Sequence, residues 1–148
     1  MASNFVKLFD KFIKNPALKG SFSEQLVKHL RLTELHSADP NKVVYLYRIP
    51  HENINIQGTT HGGALATLVD LTTTISILKV TPNRTTSISL NTEFLAGTKP
   101  SDEIKIETTI KKAGRNVIFT SCEMFHGDKL VCTGTHIKAA MKDEWEFL

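Results

Sequence analysis

The stretch His61–Lys79, HGGALATLVDLTTTISILK, decides how the rest of the chain is read. Ala64, Leu68, Leu71, Ile75 and Leu78 recur at steps of four and three, the spacing that puts side chains on one helix face. Leu65 and Val69 add a second apolar stripe, so the helix is expected to be buried on most sides. Thr72-Thr73-Thr74-Ile75 argues the other way, because consecutive β-branched residues lower helix propensity. Tertiary burial has to offset that cost, or the helix ends early.

Downstream of this helix the pattern turns to strands. Thr81-Pro82-Asn83 breaks the chain, and Thr85–Leu95 then alternates, with Ile88, Leu90 and Thr92 read on one face. Glu103–Lys111 sets Ile104, Ile106, Thr108 and Ile110 against polar neighbours. Asn116–Phe125 and Leu130–Ala139 follow, with turns at Lys112-Ala113-Gly114 and Gly127-Asp128. Upstream, Pro50–Gly58 is polar and irregular. Lys42–Ile49 and Leu32–Ala38 read as extended, joined by the turn Asp39-Pro40-Asn41. The first ~30 residues read as two short helices split at Pro16–Gly20. Ser21 and Glu24 form a capping box for the second, and Phe5, Leu8, Phe9 and Phe12 share a face of the first. The order, one central helix and then long antiparallel strands, predicts an α+β fold with a curved sheet wrapped around the helix. Residues 1–148 are read as one domain that includes the helical segment 1–31.

Composition narrows the function classes. The chain has 148 residues, 41% hydrophobic and 22% charged, which is globular and not disordered. No apolar run approaches the ~20 residues of a membrane span. A net charge of +3 is too small for a dedicated nucleic-acid binder. It suits simple solubility or a polyanionic small molecule equally. Cys122 and Cys132 show no metal-ligand spacing. They fall on neighbouring strands, where a bond is conceivable, but two reduced, packed thiols are expected. The N-terminus lacks a secretory signal, so the chain is read as not secreted, with cytoplasm and mitochondrion both open. Asp10 and the use of Lys in place of Arg favour a docking helix over a mitochondrial presequence.

Three features carry chemistry. His61-Gly62-Gly63 opens the helix, where unpaired N–H groups and the positive dipole end can hold a developing oxyanion. A Gly-Gly before a helix is also an ordinary turn. Asp70 sits in mid-helix between Val69 and Leu71, and a carboxylate there is either paired structurally or placed for reaction. Asn55, Gln57, Thr59 and Thr60 precede the helix and Thr85, Thr86, Ser87 and Ser89 follow it. Their amides and hydroxyls could orient a water, and each is alone an ordinary turn or strand group.

Together these features resemble a known signature. Asn55, then His61-Gly62-Gly63-Ala64-Leu65-Ala66-Thr67-Leu68-Val69-Asp70, is similar to the hotdog-fold acyl-CoA thioesterases. The type is that of acyl-CoA thioesterase 13 (thioesterase superfamily member 2), within the phenylacetate-pathway group. The resemblance continues through Ser87-Ile88-Ser89-Leu90-Asn91, Phe94 and Ile118-Phe119-Thr120-Ser121. It implies a hotdog fold and hydrolysis of medium- or long-chain or aryl acyl-CoA to free acid and coenzyme A. Asp70 matches the family's general base or nucleophile, and Gly62 the N–H that polarises the thioester carbonyl. His61 matches the neighbouring histidine, Asn55 an asparagine at the water or carbonyl, and Ser87 a serine that orients the water. The resemblance also implies a site shared across a homodimer, often paired into a tetramer. That accounts for Asp70 lying nine residues past His61, about 13 Å along the helix. Gly63 and the basic residues Lys111, Lys112, Arg115 and Lys138 are candidates for binding substrate or CoA phosphates, surface solvation being the other reading. No metal, redox cofactor, nucleic acid or membrane span is implied. The alternatives weighed are a non-catalytic acyl-CoA-binding hotdog module, a hydratase or dehydratase, and a purely structural oligomer.

Overall fold

Helix α3 (Gly62–Ile77) lies against one face of a six-stranded antiparallel sheet in this computed structural model. Residues 2–33 and 39–147 are described, without the side chains of residues 2 and 3. Before α3 come α1 (Ala2–Ile13), α2 (Glu24–Val27), β1 (Leu30–Leu32) and β2 (Lys42–Arg48). After it come β3 (Asn83–Phe94), β4 (Glu103–Ala113), β5 (Val117–His126) and β6 (Lys129–Glu144). The spatial order is β1-β2-β4-β5-β6-β3, which leaves β1 and β3 as edges. The extended reading of Leu32–Ala38 falls, beyond Thr33, outside the described residues.

The helix runs past its threonines to Ile77, two residues short of the expected Lys79, because those threonines are employed. Thr72 Oγ1 donates to the Leu68 carbonyl at 2.6 Å and Thr73 Oγ1 to the Val69 carbonyl at 2.7 Å. Ser76 Oγ lies 2.7 Å from Tyr45 Oη on β2 and 2.6 Å from Thr108 Oγ1 on β4. These bonds satisfy buried hydroxyls inside the helix–sheet interface, so burial outweighs the propensity cost. Leu65, Leu68, Val69 and Ile75 pack with Tyr45, Tyr47, Ile104, Ile106 and Met124 in one core.

Strand β4 alternates as expected, with Ile104, Ile106, Thr108 and Ile110 all buried. β3 does not. Ile88 and Leu90 are 57% and 40% exposed, because β3 is an edge with a bulge between Ser87 and Ser89. Gly134 on β6 brings α3 close: a Cβ there would sit 2.6 Å from Val69 Cγ1.

α1 packs on the core. Phe9 packs on Tyr45 and Phe12 meets Trp145 and Phe147 edge-on. The capping box is shifted by one residue. Ser21 Oγ accepts from Glu24 N–H, while the Glu24 carboxylate reaches back to Gly20 N–H at 2.7 Å. Cys122 and Cys132 are free, buried thiols. Burial raises both, Cys132 to about 11. No helix among the described residues is long and apolar enough to cross a membrane.

Candidate active site

The first half of the site is the N-terminus of α3. His61 caps it, its Nδ1 accepting from Gly63 N–H at 2.9 Å. A ring nitrogen that accepts carries no proton, so His61 is held as the Nε2–H tautomer, with that donor turned outward. Its backbone is pinned by a 2.7 Å bond from His61 N–H to the Asn53 carbonyl. Ala64 N–H returns to the His61 carbonyl. Among the described residues, no acceptor lies within hydrogen-bonding reach of Gly62 N–H. It is therefore the free donor at the positive end of the helix. The Phe94 ring lies over Gly62, where a Cβ would come 3.3 Å from the ring's Cζ.

Asn55 closes the loop before this corner. Its Oδ1 accepts from the N–H groups of Gln57 and Thr59, at 2.9 and 3.2 Å, which identifies that atom as oxygen. Its Nδ2 donates to Thr59 Oγ1 at 3.1 Å. One Nδ2 hydrogen is left to face a carbonyl.

The second half lies further along α3. Strand β6 alternates, so Gly134, His136 and Lys138 all face the helix. Gly134 meets Val69, His136 meets Thr73, and Lys138 meets Thr74 and Asp70. Ser87, paired with Lys138 in the β3–β6 register just before the bulge, completes the group. Asp70 Oδ1 stands 3.6 Å from Lys138 Nζ and 3.8 Å from His136 Nε2, and its side chain is 44% exposed.

One assignment of the protons gives each short contact in this group a hydrogen. Thr73 Oγ1 gives its one proton to the Val69 carbonyl, so it accepts from His136 Nδ1 at 2.7 Å. His136 thus carries its proton on Nδ1. Its Nε2 accepts from Ser87 Oγ at 2.9 Å. Burial, then the charge of Lys138, pushes His136 down to about 4 despite Asp70, which keeps the ring neutral at ordinary pH. Lys138 is itself pulled down by burial, and Asp70 opposes that shift. The result is a half-exposed carboxylate backed by a buried ammonium, with a serine hydroxyl at its side. Such a group can accept a proton from a water placed between Asp70 and Ser87.

Lys138 corrects the sequence reading. It was grouped with surface cations as a phosphate contact, but it is buried beneath Asp70. Lys112 and Arg115 do stay at the surface. Arg115 borders a cleft of about 270 Å³ formed with Val80, Thr81, Ala113, Gly114, Ile118 and Ala140. His136, Thr73 and Thr74 were not foreseen as site residues. The signal for His136 and Lys138 was present, since both fall on the inward phase set by Gly134. Asp70 and Gly62 are not brought together within one chain, as they lie eight residues apart on one helix, about 12 Å.

Comparison with known proteins meets this geometry. A family model described as thioesterase superfamily matches residues 57–133. The human protein named acyl-coenzyme A thioesterase 13 is 33% identical over 109 residues, which cover 70% of this chain and 76% of its own. The chain belongs to the thioesterase superfamily. Within the superfamily, the zebrafish crystal structure of thioesterase superfamily member 2 superposes with a TM-score of 0.76 at 26% identity, covering 91% of this chain and 94% of that one. The mouse thioesterase superfamily member 2 structure gives 0.71 at 26% identity, covering 87% and 95%. The fold of this thioesterase-superfamily chain is the expected hotdog, six strands with the helix against them.

Proposed function

We propose that this protein hydrolyses acyl-CoA thioesters, fatty or aryl, at a site completed across a homodimer. The observation that carries the reading is the split itself. A free N–H at Gly62 and a cation-backed carboxylate at Asp70 are suited to the two ends of one reaction, yet sit too far apart on one helix to share a carbonyl. The β3 edge supports a dimer, since it exposes Ile88, Leu90 and Phe94 beside the uncovered face of α3. Two β3 strands paired antiparallel would continue the sheet and lay the two α3 helices side by side. The name of the human relative supports coenzyme A as the leaving group.

The thioester oxygen sits on Gly62 N–H and the spare Nδ2 hydrogen of Asn55. A water lies between Asp70 and Ser87 of the other protomer. Asp70 takes one proton as the water oxygen bonds to the carbonyl carbon, and the negative charge passes to the oxygen at Gly62. Collapse breaks the C–S bond and releases the thiolate, with the Asp70 proton then passing to solvent or thiolate. Donors at such an oxyanion are worth about 3–4 kcal/mol of barrier. Arg115, at the cleft, and Lys112, exposed next to Ala113, would meet the CoA phosphates in this reading.

The test is thiol release from a panel of acyl-CoAs. Asp70→Asn is expected to lose at least ~100-fold in turnover. Gly62→Pro removes the N–H at the first helical position, where proline is tolerated, with the added ring pressing on Phe94 at 3.3 Å, and is expected to lose a similar factor. If the site is shared, mixing and reassembling the two inactive variants restores about a quarter of wild-type activity, half the dimers being mixed with one of two sites intact. No recovery in verified mixed dimers rules out the shared site. A wild-type protein that binds acyl-CoA without hydrolysing it is a binding module.

A further inference from the structure

Lys138 is nearly sealed from solvent at 3% exposure, and its ammonium faces three oxygens. They are Thr74 Oγ1 at 2.8 Å, Ser87 Oγ at 3.3 Å and Asp70 Oδ1 at 3.6 Å. An ammonium only donates. Thr74 and Ser87 must therefore accept from it and send their own protons elsewhere. Thr74 has Asp70 Oδ1 at 3.3 Å to receive its proton. Ser87 has His136 Nε2 at 2.9 Å, unprotonated because Nδ1 donates to Thr73.

We infer that Lys138 is a positioning residue that makes the Ser87 hydroxyl a hydrogen-bond acceptor toward the attacking water. With its proton given to His136 and one lone pair taken by Lys138, Ser87 Oγ has only a lone pair left to offer. A water lying between Ser87 and Asp70 then donates a hydrogen to each. Both its protons are engaged on one side, and its lone pairs are left for the carbonyl carbon. Were Ser87 to donate instead, it would occupy a lone pair of that water and turn its nucleophilic side away. The same ammonium acts on Asp70 through Thr74, holding Oδ1 in place while the carboxylate remains open to water. The titratable groups facing Lys138 are Asp70 on α3 and His136 on its own strand. β3 contributes only the Ser87 hydroxyl here. Burial lowers the basicity of Lys138, and the adjacent Asp70 opposes this, in keeping with a retained cation.

The inference rests on the proposed reading of Asp70 as the base, and the experiment separates the two. Nitrogen-15 NMR of the lysine side chains in the wild-type protein should find Lys138 as an ammonium at pH 7. A neutral amine overturns the inference whatever any variant does. In thiol release, Lys138→Met should lower kcat about 10-fold or more with KM within about twofold. In a Ser87→Ala background the same substitution should cost less, because its route through Ser87 is gone and only the one through Thr74 to Asp70 remains. An equal loss in both backgrounds shows that Lys138 does not act through Ser87, and a loss confined to KM makes it a substrate contact. Either result overturns the inference. Full activity in Lys138→Met refutes the inference alone, whereas no thiol release from the wild type refutes the proposed function.

Discussion

Gly134→Ala tests whether close approach of α3 to β6 builds the Asp70 group. The new Cβ would lie 2.6 Å from Val69 Cγ1 and 3.0 Å from Cγ2, with the Asn91 carbonyl 3.4 Å away on the other side. Carbon pairs rest at about 3.5–4.0 Å, so one methyl pair overlaps by about 1 Å. Val69 cannot rotate away, because valine in a helix has one strongly preferred rotamer and this one is fully buried. The helix must lift or the strand must bow. Overpacking of this kind costs about 1–3 kcal/mol, which for a chain of this length lowers Tm by roughly 2–12 °C. Asp70 directly follows Val69, and His136 and Lys138 follow Gly134 on the same face. A lift of even ~1 Å would therefore separate the carboxylate from its cation and is expected to cost turnover on the order of 100-fold. The assay is a urea-denaturation cycle over Gly134→Ala, Val69→Ala and the double variant, with thiol release measured alongside. Val69→Ala removes the colliding methyls, so the double variant should be more stable than the sum of the singles by at least ~1 kcal/mol. Additive losses, or a Gly134→Ala protein within ~0.5 kcal/mol of wild type, would refute the argument.

Other outcomes follow from the same contacts. His136 is held near 4 in the fold against about 6.5 in the unfolded chain, so the unfolded chain binds more protons between those values. Stability should therefore fall as pH drops from about 6.5 toward 4, by up to ~3 kcal/mol. A urea midpoint that is flat over this range, or unchanged in slope by His136→Gln, contradicts it. Thr73→Val keeps the shape but leaves His136 Nδ1–H without its acceptor, a loss of about 1–3 kcal/mol by urea denaturation. Phe12→Ala removes the ring that meets Trp145 and Phe147, so about 3–5 kcal/mol should go and the emission of the sole tryptophan should shift to the red. Unchanged emission would mean that α1 does not hold the C-terminal segment.

What the sequence showed and what it hid divide along one physical line. Elements whose burial is decided within one chain were legible. The steps of four and three in α3 and the alternation of β4 both ended in the core. Ile88 and Leu90 looked like the same kind of stripe, yet they stay exposed. In the proposed dimer their apolar character is addressed to a second chain, and no periodicity tells a core stripe from an interface stripe. The site divides likewise. Gly62 and Asp70 could be picked out because a glycine pair at a helix start and a carboxylate among leucines break their local patterns. His136 and Lys138 break theirs too, since counting by twos from Gly134 puts both inward, but lysine is so rarely buried that its type argued for the surface. Only the register of α3 over β6 overturns that prior. It sets Asp70 and the Thr74 hydroxyl opposite the amine, and the β3–β6 register adds the Ser87 hydroxyl, so a charge that would be costly alone is kept. Such a register depends on Gly134 admitting Val69, a contact between residues 65 apart. Where an inward strand position faces a helix carboxylate, and a glycine on the same strand face lets the helix approach, a buried lysine can be kept. Lys138 is such a position, and its value lies in the proton directions it imposes more than in the charge it adds.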